Sequence, residues 1–233
     1  MSDGLKLILI GHGKMGRVVD EVAADAHQVL DRCTGDRPLA SLAPDHGAHC
    51  GIDFSTPEAV LGTVRAAAEQ GLDLAIGTTG WHGEYDTVRR AVEAAGIGVV
   101  WAANFSLGVN IFYRAVESAA RILGKVEGYD PFITDWHHRF KKDAPSGTAI
   151  EIRRRMQPHY GEREIPIESL RAGYVPSVHA VGFDSTADTI LLEHRARNRR
   201  GFAEGALLAA RWVQGRQGFY EFQDVLDDLY PDG

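Results

Sequence analysis

The sequence predicts an α/β protein: a Rossmann-like dinucleotide-binding domain plus a smaller α+β domain. Three observations carry this. Short apolar runs alternate with longer Ala-rich stretches of helical character through residues 5–101, the pattern of a parallel sheet with crossover helices. A glycine-rich turn, Gly11-His12-Gly13-Lys14-Met15-Gly16, lies between the first apolar run and the first helical stretch. After Asn104 the alternation gives way to a long helix, a polar loop rich in His and Lys, and strands with alternating faces.

The runs at 5–10, 27–33, 49–54, 72–76 and 97–101 read as strands. Between them, 14–26, 57–70 and 83–95 carry apolar residues at helical spacing, each after a turn residue or a cap such as Thr56 before Pro57. That makes a parallel sheet of five or so strands. The second part opens with a helix over Leu107–Leu123, followed by an apolar and aromatic stretch at 129–136, the polar loop, and a helix beginning at Ser146 or Gly147. Runs at 169–172, 175–183 and 189–195, separated by Gly, Pro and Asp, read as a second sheet. Helices over 202–213 and 222–229 close the chain and are expected to pack back on the first domain. The expected boundaries are therefore 1–105 with 200–233 for the dinucleotide-binding domain and 106–199 for the second domain.

Composition narrows the function classes. The 233 residues are 44% hydrophobic and 24% charged, ordinary for a globular chain. A formal net charge of −7 without a basic block argues against nucleic acid as a partner, because phosphate contacts need clustered Lys and Arg. Cys33 and Cys50 have neither the number nor the spacing of a disulfide framework or zinc site. No stretch reaches the ~20 apolar residues of a spanning helix. The opening MSDGLKLILIGHGKMG lacks a basic region and a cleavage site, and reads as a first buried strand. A cytoplasmic protein with no membrane partner is the expectation.

In the glycine turn, Gly11 suits a tight turn, Gly13 lets the main chain approach a pyrophosphate, and Gly16 allows close helix–strand packing. The helix start supplies unpaired N–H groups and partial positive charge for phosphates. Asp31 follows Gly11 by 20 positions, at the end of the second strand, where an acid bonds the ribose hydroxyls. Arg32 beside it suits a 2′-phosphate instead. The acid favours NADH and the arginine NADPH, so both cofactors stay open.

The stretch Trp136-His137-His138-Arg139-Phe140-Lys141-Lys142-Asp143-Ala144-Pro145-Ser146-Gly147-Thr148 is the richest in chemistry. It would stand on a loop after a strand, where side chains converge on a ligand. A carboxylate-bearing substrate reduced by a nicotinamide needs cations and N–H donors for its carboxylates and a proton donor during hydride transfer. Lys141 or His137 can supply the proton and His138 recognition, while Ser146, Gly147 and Thr148 offer a hydroxyl and free N–H groups at a helix start. Asp143 either orients Lys141 or sets the turn before Pro145. No metal is expected, because adjacent histidines point apart on a strand and no Cys or carboxylate set accompanies them at helical spacing. The four tryptophans read as packing or rim residues rather than a stacking platform.

Across nearly its whole length the sequence resembles the dihydrodipicolinate reductase family. The matching motifs are GHGKMGR at 11–17, IDFSTPEAV at 52–60, IGTTGW at 76–81, AANFSLGVNIF at 102–112, HHRFKKDAPSGTA at 137–149 and FAEGALLAARWV at 202–213. The resemblance implies NAD(P)H-dependent reduction in lysine and diaminopimelate biosynthesis, with His137 as catalytic acid/base and Lys141 as proton donor. Lys142 falls at a variable position. It places His138, Ser146, Gly147 and Thr148 around the substrate carboxylates. Cofactor contacts would come from Gly11 to Gly16, Asp31, Arg32, Gly77, Thr78, Thr79, Ala102, Ala103, Asn104 and Phe105, and the resemblance implies that 106–199 is the substrate-binding and oligomerisation domain, through which a homotetramer is joined. The chain departs from the pattern in the short segment between Asp36 and Gly51, in the single residue between Gly11 and Gly13, and in Val178 where an acid often precedes the histidine. A related two-domain amino-acid dehydrogenase, or an NAD(P)-sensing protein without turnover, would share the glycine turn but not require the HHRFKKDAPSGTA loop.

Overall fold

A computed structural model describes residues 4–231. It divides into two compact units: one runs to Leu107 and resumes at Arg199, and the other comprises Gly108–Asn198.

The first unit contains β1 (Lys6–Ile10), α1 (Lys14–Ala23), β2 (Gln28–Cys33), β3 (Cys50–Asp53), α2 (Val60–Gln70), β4 (Asp73–Ile76), α3 (Tyr85–Ala95) and β5 (Gly98–Trp101). The chain returns to this unit as α6 (Arg200–Val213), β10 (Gly218–Glu221) and α7 (Phe222–Leu229). The second unit holds most of α4 (Leu107–Leu123), then β6 (Asp130–His137), α5 (Gly147–Met156), β7 (Ile167–Arg171), β8 (Ser177–Asp184) and β9 (Thr189–Ala196).

The strands of the first unit form one six-stranded parallel sheet in the order β10-β5-β4-β3-β1-β2. Strand alternation splits its apolar residues between two cores. Leu7 and Leu9 pack with Ile52, Ala75 and Val100 against Val19 of α1 and Ala206 and Ala210 of α6. Ile8 and Ile10 pack with Leu74, Ile76 and Val99 against Val60 and Val64 of α2 and Val88 and Val92 of α3. Each such fully buried aliphatic side chain contributes roughly 1.5–3 kcal/mol, so the carboxyl ends of the strands are held rigidly where ligands bind an open parallel sheet.

The sixth strand, β10, was not legible in the sequence. Its four residues begin at Gly218, are only partly buried, and lie between two helices. Pairing with β5 makes them a strand. The tryptophans are packing residues where the sheet extends to β10: Trp81, Tyr85, Trp101 and Phe219 stack edge-to-face with ring centroids 5.3–6.5 Å apart.

The second sheet is mixed, in the order β7-β6-β8-β9, with β6 parallel to β7 and antiparallel to β8. Helices α4 and α5 cover one face: Val109, Phe112, Val116 and Ala120, with Ile152 and Met156, pack on Ile133, Val181 and Phe183. No helix among the described residues is long and apolar enough to cross a membrane.

Candidate active site

In the first unit the glycine turn is dictated by sterics. Gly11 has φ +84°, and a Cβ on it would strike the Phe54 carbonyl. A Cβ on Gly16 would strike the Gly11 carbonyl, so only glycine lets α1 start this close to β1. Gly13 is the N-cap of α1, makes no side-chain cap, and has open space where a Cβ would stand. With no acid in the first turn of α1, that open cradle fits an anionic group such as a pyrophosphate.

A cavity of about 220 Å³ lies beside this turn, lined by Met15, Gly77, Ala102, Ala103, Asn104 and Phe105. Phe54, Arg199 and Phe202 complete the lining and were not foreseen as site residues. Thr78 is buried and donates its hydroxyl to Asp53 Oδ1 at 2.8 Å, so it braces the site; Thr79 is exposed. Burial raises the Asp53 carboxyl, against the hydrogen bonds from Ser55 and Thr78.

The end of β2, where Asp31 and Arg32 were expected to meet the ribose, is more crowded than expected. Both oxygens of Asp31 take Arg37 guanidinium N–H groups at 2.6 and 2.7 Å, and Oδ1 also accepts the Arg32 backbone N–H. The Arg32 side chain turns instead to Asp20, at 2.5 and 2.6 Å, and His12 Nε2 lies 2.9 Å from the same carboxylate. The Arg32 guanidinium holds Asp20 below the ordinary carboxylate range. A bridge between Thr34 and Arg37 folds Arg37 back towards the end of β2.

In the second unit, register assembles the chemistry. β6 sets Asp135 opposite Ser169 of β7 and His179 of β8, with His194 of β9 continuing the row; His137 stands opposite Arg171. Period-two alternation puts Asp135 and His137 on one face.

Asp135 is fully buried. Its Oδ2 accepts from Ser146 N at 2.7 Å, Arg171 Nη2 at 2.8 Å and Ser169 Oγ at 3.2 Å. Its Oδ1 lies 2.8 Å from His137 Nδ1 and 3.4 Å from His179 Nε2, close contacts without aligned hydrogen-bond geometry. Burial works against the charge, but the His137 and His179 rings, Arg171 and the Ser146 N–H outweigh it and hold the carboxyl well below its ordinary range. Burial pushes His179 down, against the pull of Asp135.

Ser146 caps α5, its Oγ accepting from Ala149 N at 3.2 Å and lying 3.1 Å from His179 Nε2. Gly147 is exposed with open space at its Cβ position, so the first turn of α5 is accessible. The Thr148 side chain hydrogen-bonds Tyr113, whose phenol is pushed up to about 12 by burial. Lys141 Nζ lies 2.9 Å from Asp143, so Asp143 does engage this lysine and is itself held lower by it. His138 is half-buried, its ring 6.0 Å from Phe140.

The metal expectation rested on local spacing, and the fold adds what spacing could not. Asp135, His137 and His179 offer ligand atoms within 4.8 Å of one another. Arg171, paired with the same carboxylate, sets a positive charge beside them. Asp135 was missed, although its place two residues before His137 on one strand face could have flagged it; Arg171 and His179 reach the site only through strand pairing.

An open parallel sheet with an anion-accepting glycine turn, joined to a unit bearing His, Lys and a free helix start, defines a nicotinamide-dependent oxidoreductase. The family profile described as dihydrodipicolinate reductase, N-terminus, matches residues 5–105, and its C-terminus counterpart matches residues 108–226. The chain therefore belongs to the dihydrodipicolinate reductase family and is an NAD(P)H-dependent enzyme. It is similar to the 4-hydroxy-tetrahydrodipicolinate reductases of Christiangramia forsetii, 32% identical over 97% of this chain and 99% of that one, and of Chromobacterium violaceum, 34% identical over 94% and 97%. In fold it is similar to a dipicolinate-bound dihydrodipicolinate reductase from Paenisporosarcina sp. TG-14, with TM-score 0.80 and 20% identity over 94% of this chain and 97% of that one.

Proposed function

We propose that this chain reduces the cyclic imine dicarboxylate of the dihydrodipicolinate step to tetrahydrodipicolinate, with His137 and Lys141 handling the proton. The observation that carries the reading is one continuous segment, from Asp135 to Thr148, that presents a histidine, a lysine and an open helix start. The first unit serves the cofactor and the second the substrate.

The Gly11–Gly16 turn and the first turn of α1 would take the pyrophosphate, Asp31 and Arg32 the adenosine ribose, and Gly77 with Ala102 to Phe105 the nicotinamide side. When bound, NADH or NADPH supplies a hydride to the ring carbon of the imine. Ser146, Gly147 and Thr148 hold one substrate carboxylate on the N–H groups of α5, and His138 recognises the other. Lys141, on the loop with its side chain 24% exposed, delivers the proton; His137, only 9% exposed, acts as acid/base from beneath. A homotetramer formed through the second sheet is part of the reading, supported by exposed Leu170 and Leu191 on the face opposite Asp135. So is a cytoplasmic location.

The test is a coupled assay in which dihydrodipicolinate synthase generates the labile substrate from pyruvate and aspartate semialdehyde. Substrate-dependent loss of reduced-nicotinamide absorbance is expected, and the two cofactors are ranked in the same experiment. No loss with either cofactor, alongside demonstrated cofactor binding and an active control enzyme, would overturn the reading in favour of a sensor.

A further inference from the structure

We propose that Asp135 is the positioning residue of this site, fixing His137 and the amino end of α5 in one arrangement through the two oxygens of a single buried carboxylate. The inference rests on the reading of His137 as acid/base.

The two oxygens of Asp135 have different surroundings. Oδ2 is saturated by three donors, from Ser146 N, Ser169 Oγ and Arg171 Nη2. Three bonds from two elements, β7 and the start of α5, fix the plane of the carboxylate, which leaves Oδ1 directed at the imidazoles of His137 and His179. A buried carboxylate is costly unless paired. If the only need were to satisfy the Ser146 N–H, a neutral acceptor would meet it with no charge to bury. The second oxygen, placed 2.8 Å from His137 Nδ1, is what a neutral acceptor would not supply.

The consequence for His137 follows from ring geometry. With Nδ1 turned to a fixed anion, the ring has one preferred orientation, and Nε2 on the opposite edge is the nitrogen left to meet a substrate. Through Oδ2 the same carboxylate holds the backbone of Ser146, the first residue of the proposed carboxylate cradle. Arg171 closes the arrangement: its Nε and Nη2 donate to the Asp143 carbonyl at 3.2 and 2.7 Å, and its Nη1 to the Asp135 carbonyl at 2.9 Å. Acid/base and anion cradle are thus tied to one charge. Sequence spacing shows the Asp135–His137 pair, but not that Ser146 shares it.

The experiment is a double-mutant cycle on the full chain, comparing Asp135→Asn, Asp135→Glu, His137→Asn and each Asp135 variant combined with His137→Asn. Readouts are kcat, KM, dipicolinate affinity and cofactor affinity. Expected are a fall in kcat of about 10²-fold for Asp135→Asn, partial recovery in Asp135→Glu, unchanged cofactor affinity, and little further loss from either Asp135 change once His137 is Asn. Additive losses in the His137→Asn background, or undiminished kcat in folded Asp135→Asn, would overturn the proposal. Should Asp135→Asn fail to fold, Asp135→Glu, which keeps the charge but displaces it, decides the matter by the same criterion. Undiminished kcat in His137→Asn alone would instead remove the acid/base role of His137, a result distinguishable from failure of the Asp135 coupling.

Discussion

Replacing Arg171 with Met should cost this protein far more than replacing any of its surface arginines. The Arg171 side chain is 15% exposed and pairs with a carboxylate that is 0% exposed. It also donates to the carbonyls of Asp135, Asp143 and Leu170. Methionine fills a similar length but leaves the Asp135 charge and these carbonyls short of donors. Removing one partner of a buried pair costs roughly 3–5 kcal/mol. Because Ser146 N and Ser169 Oγ still donate to Asp135, the lower end, about 3 kcal/mol, is expected. For a chain of this size that is a fall in Tm of about 6–12 °C. The comparison is Arg154→Met: Arg154 is 70% exposed and pairs with Glu151 along one helix, an arrangement worth about 0.5 kcal/mol or less. Thermal and urea unfolding of both variants would measure the difference. Neutralising the orphaned charge, in Arg171→Met with Asp135→Asn, should recover part of the loss. Equal destabilisation by Arg171→Met and Arg154→Met would refute the account of Asp135 as a buried charge dependent on its partners.

Three further predictions concern different parts of the molecule. Acid should destabilise the second unit in two stages: His179, pushed below its ordinary 6.5 by burial, stays unprotonated in the folded protein while the unfolded chain takes up a proton, so stability falls as pH drops below 6.5. The Asp135 carboxyl, held below its ordinary 3.8, contributes stability that is present above 3.8 and lost as pH falls below it. Urea midpoints against pH should show a smaller upper stage in His179→Gln, with His194 supplying the rest, and a smaller lower stage in Asp135→Asn, with Asp143 and Glu151 supplying the rest; unaltered profiles would contradict the assignment. At the end of β2, Arg32→Ala and Arg37→Ala should weaken NADPH by about 10-fold more than NADH, consistent with loss of one charge-assisted pair; equal weakening in fluorescence titrations would remove both from cofactor selection. Cys33 and Cys50 are buried, and burial pushes Cys33 up to about 11 and Cys50 well above 9.0. Neither should alkylate at neutral pH until the chain unfolds, and mass spectrometry showing rapid native labelling would count against that environment.

The sequence by itself determined the fold class, most element positions and the chemistry on offer, because those depend on patterns within short windows. Alternation of Leu7 and Leu9 with Ile8 and Ile10 set the two-sided sheet, the glycine turn specified a backbone no other residue tolerates, and His137, Lys141 and Ser146 stood together in one run. Only the tertiary structure decided which distant residues meet them. β10 became a strand by pairing with β5, and Phe54, together with Arg199 and Phe202 at the start of α6, joined the cavity from two separate places in the chain. Arg32 turned to Asp20 while Arg37 took Asp31, a choice set by side-chain reach across α1 and the turn after β2. Arg171 and His179 came to Asp135 through the register of β7 and β8 on β6, and strand register is fixed by long-range pairing and core burial that no local pattern encodes.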